Sequence, residues 1–363
     1  MIRFADDWEK VKSRYAHWWK GERCDRALIQ VTAPRQGAGP ALPWKGGAAT
    51  AEEKWTDIEF AIWSTEQHVE RTWYGGEAIP TLLSYQSPLG MSGGGALLLG
   101  CAPRYADDTV WVDPLEPAGR LPALRIDEGF HRRVRESMAR AARESRGRWF
   151  MRESFANQAG DTLALARGTE RLLVDIEENP RWVAAAVKRV SDLLLEVNAD
   201  LWPLASPEVT GMEGYASSTG MWSPVVNACL DCDFSCMISP RHFEELFLPP
   251  LVETMRATAL AMYHLDGTEA IRHLDALLPL PELHAIQWVP GAGREAVLQW
   301  VPLIRRIQSA GKAVQVLARP REVEPLLREV SARGLLITTD CASEEEGREL
   351  VRLVGRLSRQ RLA

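Results

Sequence analysis

Residues 259–293, ALAMYHLDGTEAIRHLDALLPLPELHAIQWVPGAG, decide the fold class. An apolar, β-prone run at Ala259–His264 gives way to a helical stretch, and a second run of the same character follows at Leu283–Trp288. Strand, helix and strand in that order make one repeat of a parallel α/β sheet. The pattern extends in both directions. Trp149–Glu153, Val209–Tyr215, Ala313–Leu317 and Leu335–Thr339 read as further strands, and two earlier runs, Ala27–Ala33 and Ile79–Tyr85, complete a set of eight. Eight such units close a (β/α)8 TIM barrel, which a single domain spanning 1–363 accommodates with terminal additions. Residues 1–25 read as a helical N-terminal extension.

Local signals place several helices independently of the strand count. Asn179-Pro180 and Ser239-Pro240 each set a capping residue before a proline at the first helical position. Ser343 followed by Glu346 is a capping box, and Val323, Leu326, Leu327 and Val330 recur at helical spacing before Gly334 ends the run. The first 150 residues are less regular, with Gly/Pro/Ala-rich segments at 37–49 and a glycine run at 90–100. Among the tryptophans there, Trp18, Trp19, Trp44, Trp55, Trp63 and Trp73 read either as packing for the extension or as an aromatic wall for a ligand.

The charge balance narrows the partners. Forty-nine acidic residues against 43 basic ones give a net charge of -6, without a long basic block, which disfavours a nucleic-acid polyanion. No stretch reaches the roughly 18 uninterrupted apolar residues of a membrane span, and the N-terminus lacks a signal-peptide core, so a cytoplasmic protein is expected. Six cysteines in so long a chain read as reduced thiols or metal ligands.

The motifs YHLDGTEAIRHLDALL (263–278), ELHAIQWVPGAG (282–293), GDTLALARGTERLLVDIEENP (160–180) and CDFSCMISPRHFEELFLPPL (232–251) resemble the uroporphyrinogen decarboxylase superfamily, in its corrinoid methyltransferase-like branch. The resemblance covers nearly the whole chain. It implies a barrel enzyme that moves a methyl group between a small methylated substrate or thiol and a separate corrinoid protein, with zinc held by a His-x-Cys after the fifth strand and a Cys after the eighth. Here His264 is followed by Asp266, and Cys341 stands in ITTDCAS (337–343), so one thiolate has become a carboxylate. The family's decarboxylases use an aspartate after the second strand and several basic residues after the first. This chain reads LLSYQSPLG (82–90) and TAPRQGAG (32–39), with Arg35 the single cation, which points away from porphyrinogen decarboxylation.

On these grounds His264, Asp266, Cys341 and Glu213 form the expected metal set, and His264, Asp266 and Glu153 the expected catalytic groups. His264 and Asp266 share a strand face because side chains two apart do. Without a metal, the same pair would serve a carboxy-lyase, with Asp266 orienting His264 for proton transfer. A third reading is a non-catalytic corrinoid- or tetrapyrrole-binding protein. Tyr215, Trp222, Asp233, Gln287 and Asn157 are the expected substrate contacts. Cys229, Cys232 and Cys236 form C-x2-C-x3-C in what reads as the loop after the fourth strand.

Overall fold

The computed structural model describes residues 7–45, 49–82, 94–115, 121–152 and 158–360. A seven-stranded sheet forms its centre. In chain order its strands are β1 (Leu28–Pro34), β2 (Thr72–Gly76), β3 (Asn227–Leu230), β4 (Leu260–Asp266), β5 (Leu283–Val289), β6 (Ala313–Leu317) and β7 (Leu335–Asp340). Across the sheet they lie in the order β2-β1-β7-β6-β5-β4-β3. Only β2 runs antiparallel to its neighbour; every other pair is parallel. Two isolated parallel bridges, Thr81↔Phe150 and Arg152↔Ala216, continue the parallel arrangement at two of the expected early strands.

The strand alternation produces two tiers with opposite character. Leu28, Ile79, Phe150, Cys229, Met262, Ala285, Ala313 and Leu336 belong to one buried apolar cluster. Two residues further along the same segments come Gln30, Thr81, Arg152, Asp231, His264, Gln287, Gln315 and Thr338, all of them polar. Because positions two apart share a face, an apolar floor is followed by a polar layer. Helix α1 (Trp8–Trp19) closes the floor from below, contributing Val11, Tyr15, Trp18 and Trp19 to the same cluster. The expected N-terminal extension is therefore a plug at the amino ends of the strands.

Residues facing away from this interior, such as Tyr263, Leu265, Ile286, Val314, Val316 and Ile337, join the second hydrophobic cluster with the surrounding helices. These include α2 (Ala159–Arg167), α3 (Pro180–Leu201), α4 (Pro320–Glu329) and α5 (Glu344–Gln360). Ser239 caps as expected, accepting from the His242 backbone N–H, whereas the Asn179 side chain turns back to donate to Asp175. Glu346 bonds the amide of Ala342, one residue before Ser343, so its capping box is displaced by one position.

Two expectations fail at the fourth strand. Val209–Tyr215 is not a strand: Pro207–Thr210 is a short helix, and only Tyr215–Ala216 is extended, in a small antiparallel pair with Trp222–Ser223. The strand that joins the sheet is β3, so Cys229 sits within the sheet rather than in a loop. Pro207 at a first helical position explains the helix, since proline is pre-organised there. Strand β2 lies outside the eight expected runs. At its end Gly76 has φ +62°, and a Cβ there would lie 2.0 Å from the Ile29 carbonyl oxygen, so only glycine allows the tight return that brings Glu77 under β1. The aromatic-wall reading of the early tryptophans finds little support: Trp18, Trp19, Trp44 and Trp55 are buried, and Trp44 packs on Phe60 and Trp63. No helix among the described residues is long and apolar enough to cross a membrane.

Candidate metal and proton-transfer site

Three donor groups converge where β3 and β4 end. One ligand atom each from Asp233, His264 and Asp266 lies within 4.8 Å of the other two. His264 and Asp266 come from alternate positions of β4, as their spacing requires, with His264 Nε2 3.9 Å from Asp266 Oδ2. That separation is too long for a hydrogen bond but suits two atoms sharing a ligand. Asp233 opens a short helical turn, Asp233–Met237, immediately beyond β3.

The turn is held from underneath by a carboxylate. Asp161, in the first turn of α2, accepts from the backbone N–H of Asp233 at 3.0 Å and of Phe234 at 2.7 Å. Cys236 fixes the other side, its thiol donating to the Asp266 carbonyl at 3.3 Å. The imidazole of His273 adds a contact to the Ser235 carbonyl. The anchoring role of Asp161 has no local sequence signature, because it depends on a loop 72 residues away.

Around these donors lies an excess of negative charge. Asp231 stands beside Asp161, and its carboxylate receives the Gln158 amide. Burial, and then the charge of Asp161, push the Asp231 carboxyl well above the usual range; burial and the charge of Asp233 raise Asp161 to about 6. Asp233 is also raised, chiefly by desolvation, although His264 pulls it the other way. A carboxyl raised on folding contributes stability that is fully present below its unfolded value, about 3.9, and lost as pH rises through the folded value. Asp231→Asn removes the ionising group, so its melting temperature relative to the parent should climb steadily as pH increases from about 4. A difference constant from pH 4 to 9 would rule out ionisation of Asp231 as a burden on the fold.

The other expected ligands lie elsewhere. Cys341 is buried in the outer cluster between sheet and helices, because it continues the outward parity of Ile337 and Thr339; its backbone N–H bonds the Thr32 carbonyl at 2.8 Å. Burial raises its thiol to about 11. It also follows β7, three strand spacings from β4, or about 14 Å around the wall. Glu213 sits at the opposite end of the strands, where its carboxylate takes Lys12 at 2.6 Å and the Trp8 indole at 3.2 Å, and Lys12 holds it below the ordinary carboxylate range. Neither can join His264.

Two substrate contacts are corrected in the same way. Trp222 packs against Trp8 and Tyr15 of the plug, donates its indole N–H to the Glu213 carbonyl, and accepts from Trp19 through its own carbonyl. Tyr215 neighbours it on the same short hairpin. Gln287 is near the site but serves the wall: one end of its amide meets His264 Nδ1 and the other donates to Gln315 at 3.0 Å. Asp233 changes role, from substrate contact to candidate ligand. Glu153 and Asn157 lie outside the described residues.

Among solved structures, a methyltransferase from Methanosarcina mazei aligns over 97% of this chain and 99% of that chain, with a TM-score of 0.58 and 10% sequence identity. That is a likeness of fold. No family model matches the sequence, and no curated protein matches it.

Proposed function

We propose that this chain is a zinc-dependent methyltransferase built on a closed (β/α)8 barrel, moving a methyl group between a small methylated compound or thiol and a separate corrinoid protein. The observation that carries the reading is the convergence of Asp233, His264 and Asp266 at the carboxyl ends of adjacent parallel strands. Zinc bonds to nitrogen and oxygen of about 2.0–2.2 Å separate neighbouring ligands by roughly 3.3–3.6 Å, which small side-chain adjustments reach from the spacing seen here. Three protein donors leave a fourth position open, as catalytic sites do and structural sites do not. Bound there, zinc would supply a Lewis acid that favours the thiolate form of a coordinated thiol at neutral pH.

The protein's own groups have separate tasks. His264 offers Nε2 while Nδ1 rests against Gln287, and Asp233 and Asp266 offset the charge of a divalent cation. Asp161 keeps Asp233 at the correct height by holding its backbone. The metal-free carboxy-lyase reading is less well supported, because the orienting partner of His264 is Gln287 and not Asp266. The structural neighbour adds a methyltransferase of the same fold, and the corrinoid partner rests on the motif resemblance alone.

The test is a demethylation assay. Chelator-treated protein, with and without one equivalent of zinc, is mixed with methylcobalamin and a short alkanethiol, and loss of the methylcobalamin absorbance is followed. Zinc-dependent loss, with the methyl thioether appearing in equal amount, is the expected result. Tight zinc binding without demethylation of methylcobalamin by any of a panel of thiols would refute methyl transfer while leaving the metal site intact.

A further inference from the structure

The polar tier above the floor is a continuous chain of hydrogen bonds, and its direction can be read from its far end. Tyr15 of α1 donates its hydroxyl to the Glu77 carbonyl oxygen at 2.8 Å, so it accepts from whatever else it meets. What it meets is the amide nitrogen of Gln30, at 2.8 Å, and that nitrogen also donates to the Gly220 carbonyl at 2.8 Å. Two partners, one of them a backbone oxygen that can only accept, thus orient the Gln30 amide. Its oxygen must then face Thr338 and Gln315, which donate to it at 2.8 and 3.5 Å.

The constraint passes along the strands. With its nitrogen committed to Thr338 Oγ1 at 3.0 Å and to Gln30, Gln315 turns its oxygen toward Gln287, which donates at 3.0 Å. Gln287 therefore presents its own oxygen to His264 Nδ1. An amide oxygen is a pure acceptor, so the ring nitrogen facing it must carry a proton. These residues occupy neighbouring strands of one face, and Gln30, Gln287 and Gln315 are buried, so water does not compete for the amides.

We infer that Gln30, Gln315 and Gln287 are positioning residues that hold neutral His264 as its Nδ1–H tautomer, leaving the Nε2 lone pair directed at Asp233 and Asp266. The relay begins at the backbone carbonyls of Glu77 and Gly220 and ends at the imidazole of His264. It gives a reason for three glutamines in a barrel interior, where apolar side chains would pack with less desolvation cost. A histidine that ligates through one nitrogen commonly has the other fixed in this way, and outer partners of that kind alter metal affinity 10–100-fold. The inference rests on the proposed function only in taking Nε2 as the working atom; the tautomer itself is a property of the protein without metal.

Metal-free protein labelled with 15N-histidine, at about pH 9 where ordinary imidazoles are neutral, tests it through long-range proton–nitrogen correlation spectra. His264→Gln identifies the resonance. The wild-type ring should show protonated Nδ1 and a bare Nε2. Gln287→Leu should lose that preference and Gln287→Glu, which still accepts from Nδ1–H, should keep it. Gln30→Met lies at the remote end, and by freeing the Gln315 and Gln287 amides to reverse it should raise the Nε2–H tautomer and weaken zinc binding tenfold or more. An Nε2–H tautomer in the wild-type protein would overturn the inference, and so would a Gln30→Met spectrum identical to wild type. Failure to bind zinc, with the tautomers as expected, would instead count against the proposed function alone.

Discussion

His264→Ala is expected to abolish stoichiometric zinc binding and all zinc-dependent turnover, whereas Cys341→Ser should leave both within about twofold. His264 is the only nitrogen donor in the three-residue group, and it stands between the carboxylates contributed by the β3 turn and by the end of β4. Losing it leaves two carboxylates, a pair better matched to a hard, weakly held cation than to zinc. The loss should exceed the 10–100-fold typical of removing a mere outer partner of a ligand. Cys341 has no such role because its side chain faces the helices. Elemental analysis after dialysis, together with calorimetric titration of zinc into each variant, measures the difference. A His264→Ala protein that still binds one zinc tightly would move the metal centre away from β4, and a Cys341→Ser protein that loses zinc would restore the ligand set expected from the family motif.

Glu77→Ala should cost roughly 3–5 kcal/mol of stability, lowering the melting temperature by about 4–7 °C. Its carboxylate is completely buried beneath β1. Arg26, itself nearly buried, holds it with two bonds of 2.7 and 2.8 Å, Arg14 adds a third at 3.0 Å, and the Ile29 backbone N–H a fourth at 2.8 Å. Removing the acid leaves a guanidinium and a backbone donor in the interior without their partner, and the uncompensated charge dominates the penalty. Replacing both members, Arg26→Met with Glu77→Leu, should recover much of the loss, since a buried pair is commonly close to neutral against apolar groups of similar volume. Thermal unfolding of the single and double variants decides the matter. A Glu77→Ala melting point within about 2 °C of the parent would mean that Arg26 finds water, and that the plug of α1 is looser than its packing implies.

The tendency of Ala259–His264, Leu283–Trp288, Ala313–Leu317 and Leu335–Thr339 to form strands was legible because each is a short apolar run bounded by helix signals, and all four lie in the parallel sheet. Pairing His264 with Asp266 required only that strand side chains alternate. Gln30, Gln287 and Gln315 each stand two residues beyond an apolar floor position, as His264 does, which sets them on one face. Their meaning emerged only when the strands were placed side by side and the amides could be connected.

What the sequence determined by itself was the set of local periods: which runs are strands, which residues share a face, and where Ser239-Pro240 begins a helix. The tertiary structure decided which end of the strands each residue occupies. Glu213 would reach the site only if Val209–Tyr215 rose through the sheet, but Pro207 starts a helix there and β3 forms only at Asn227. The shift places Glu213 beside Lys12 of α1, 201 residues earlier, and brings Asp233 to His264 instead. Parity takes Cys341 away from the site, since one residue's step along a strand exchanges the polar inner face of the sheet for the helix layer. Local sequence sets periodicity through backbone geometry, but convergence is set by long-range contacts, and a single misplaced strand boundary is enough to send a carboxylate to the other end of the sheet.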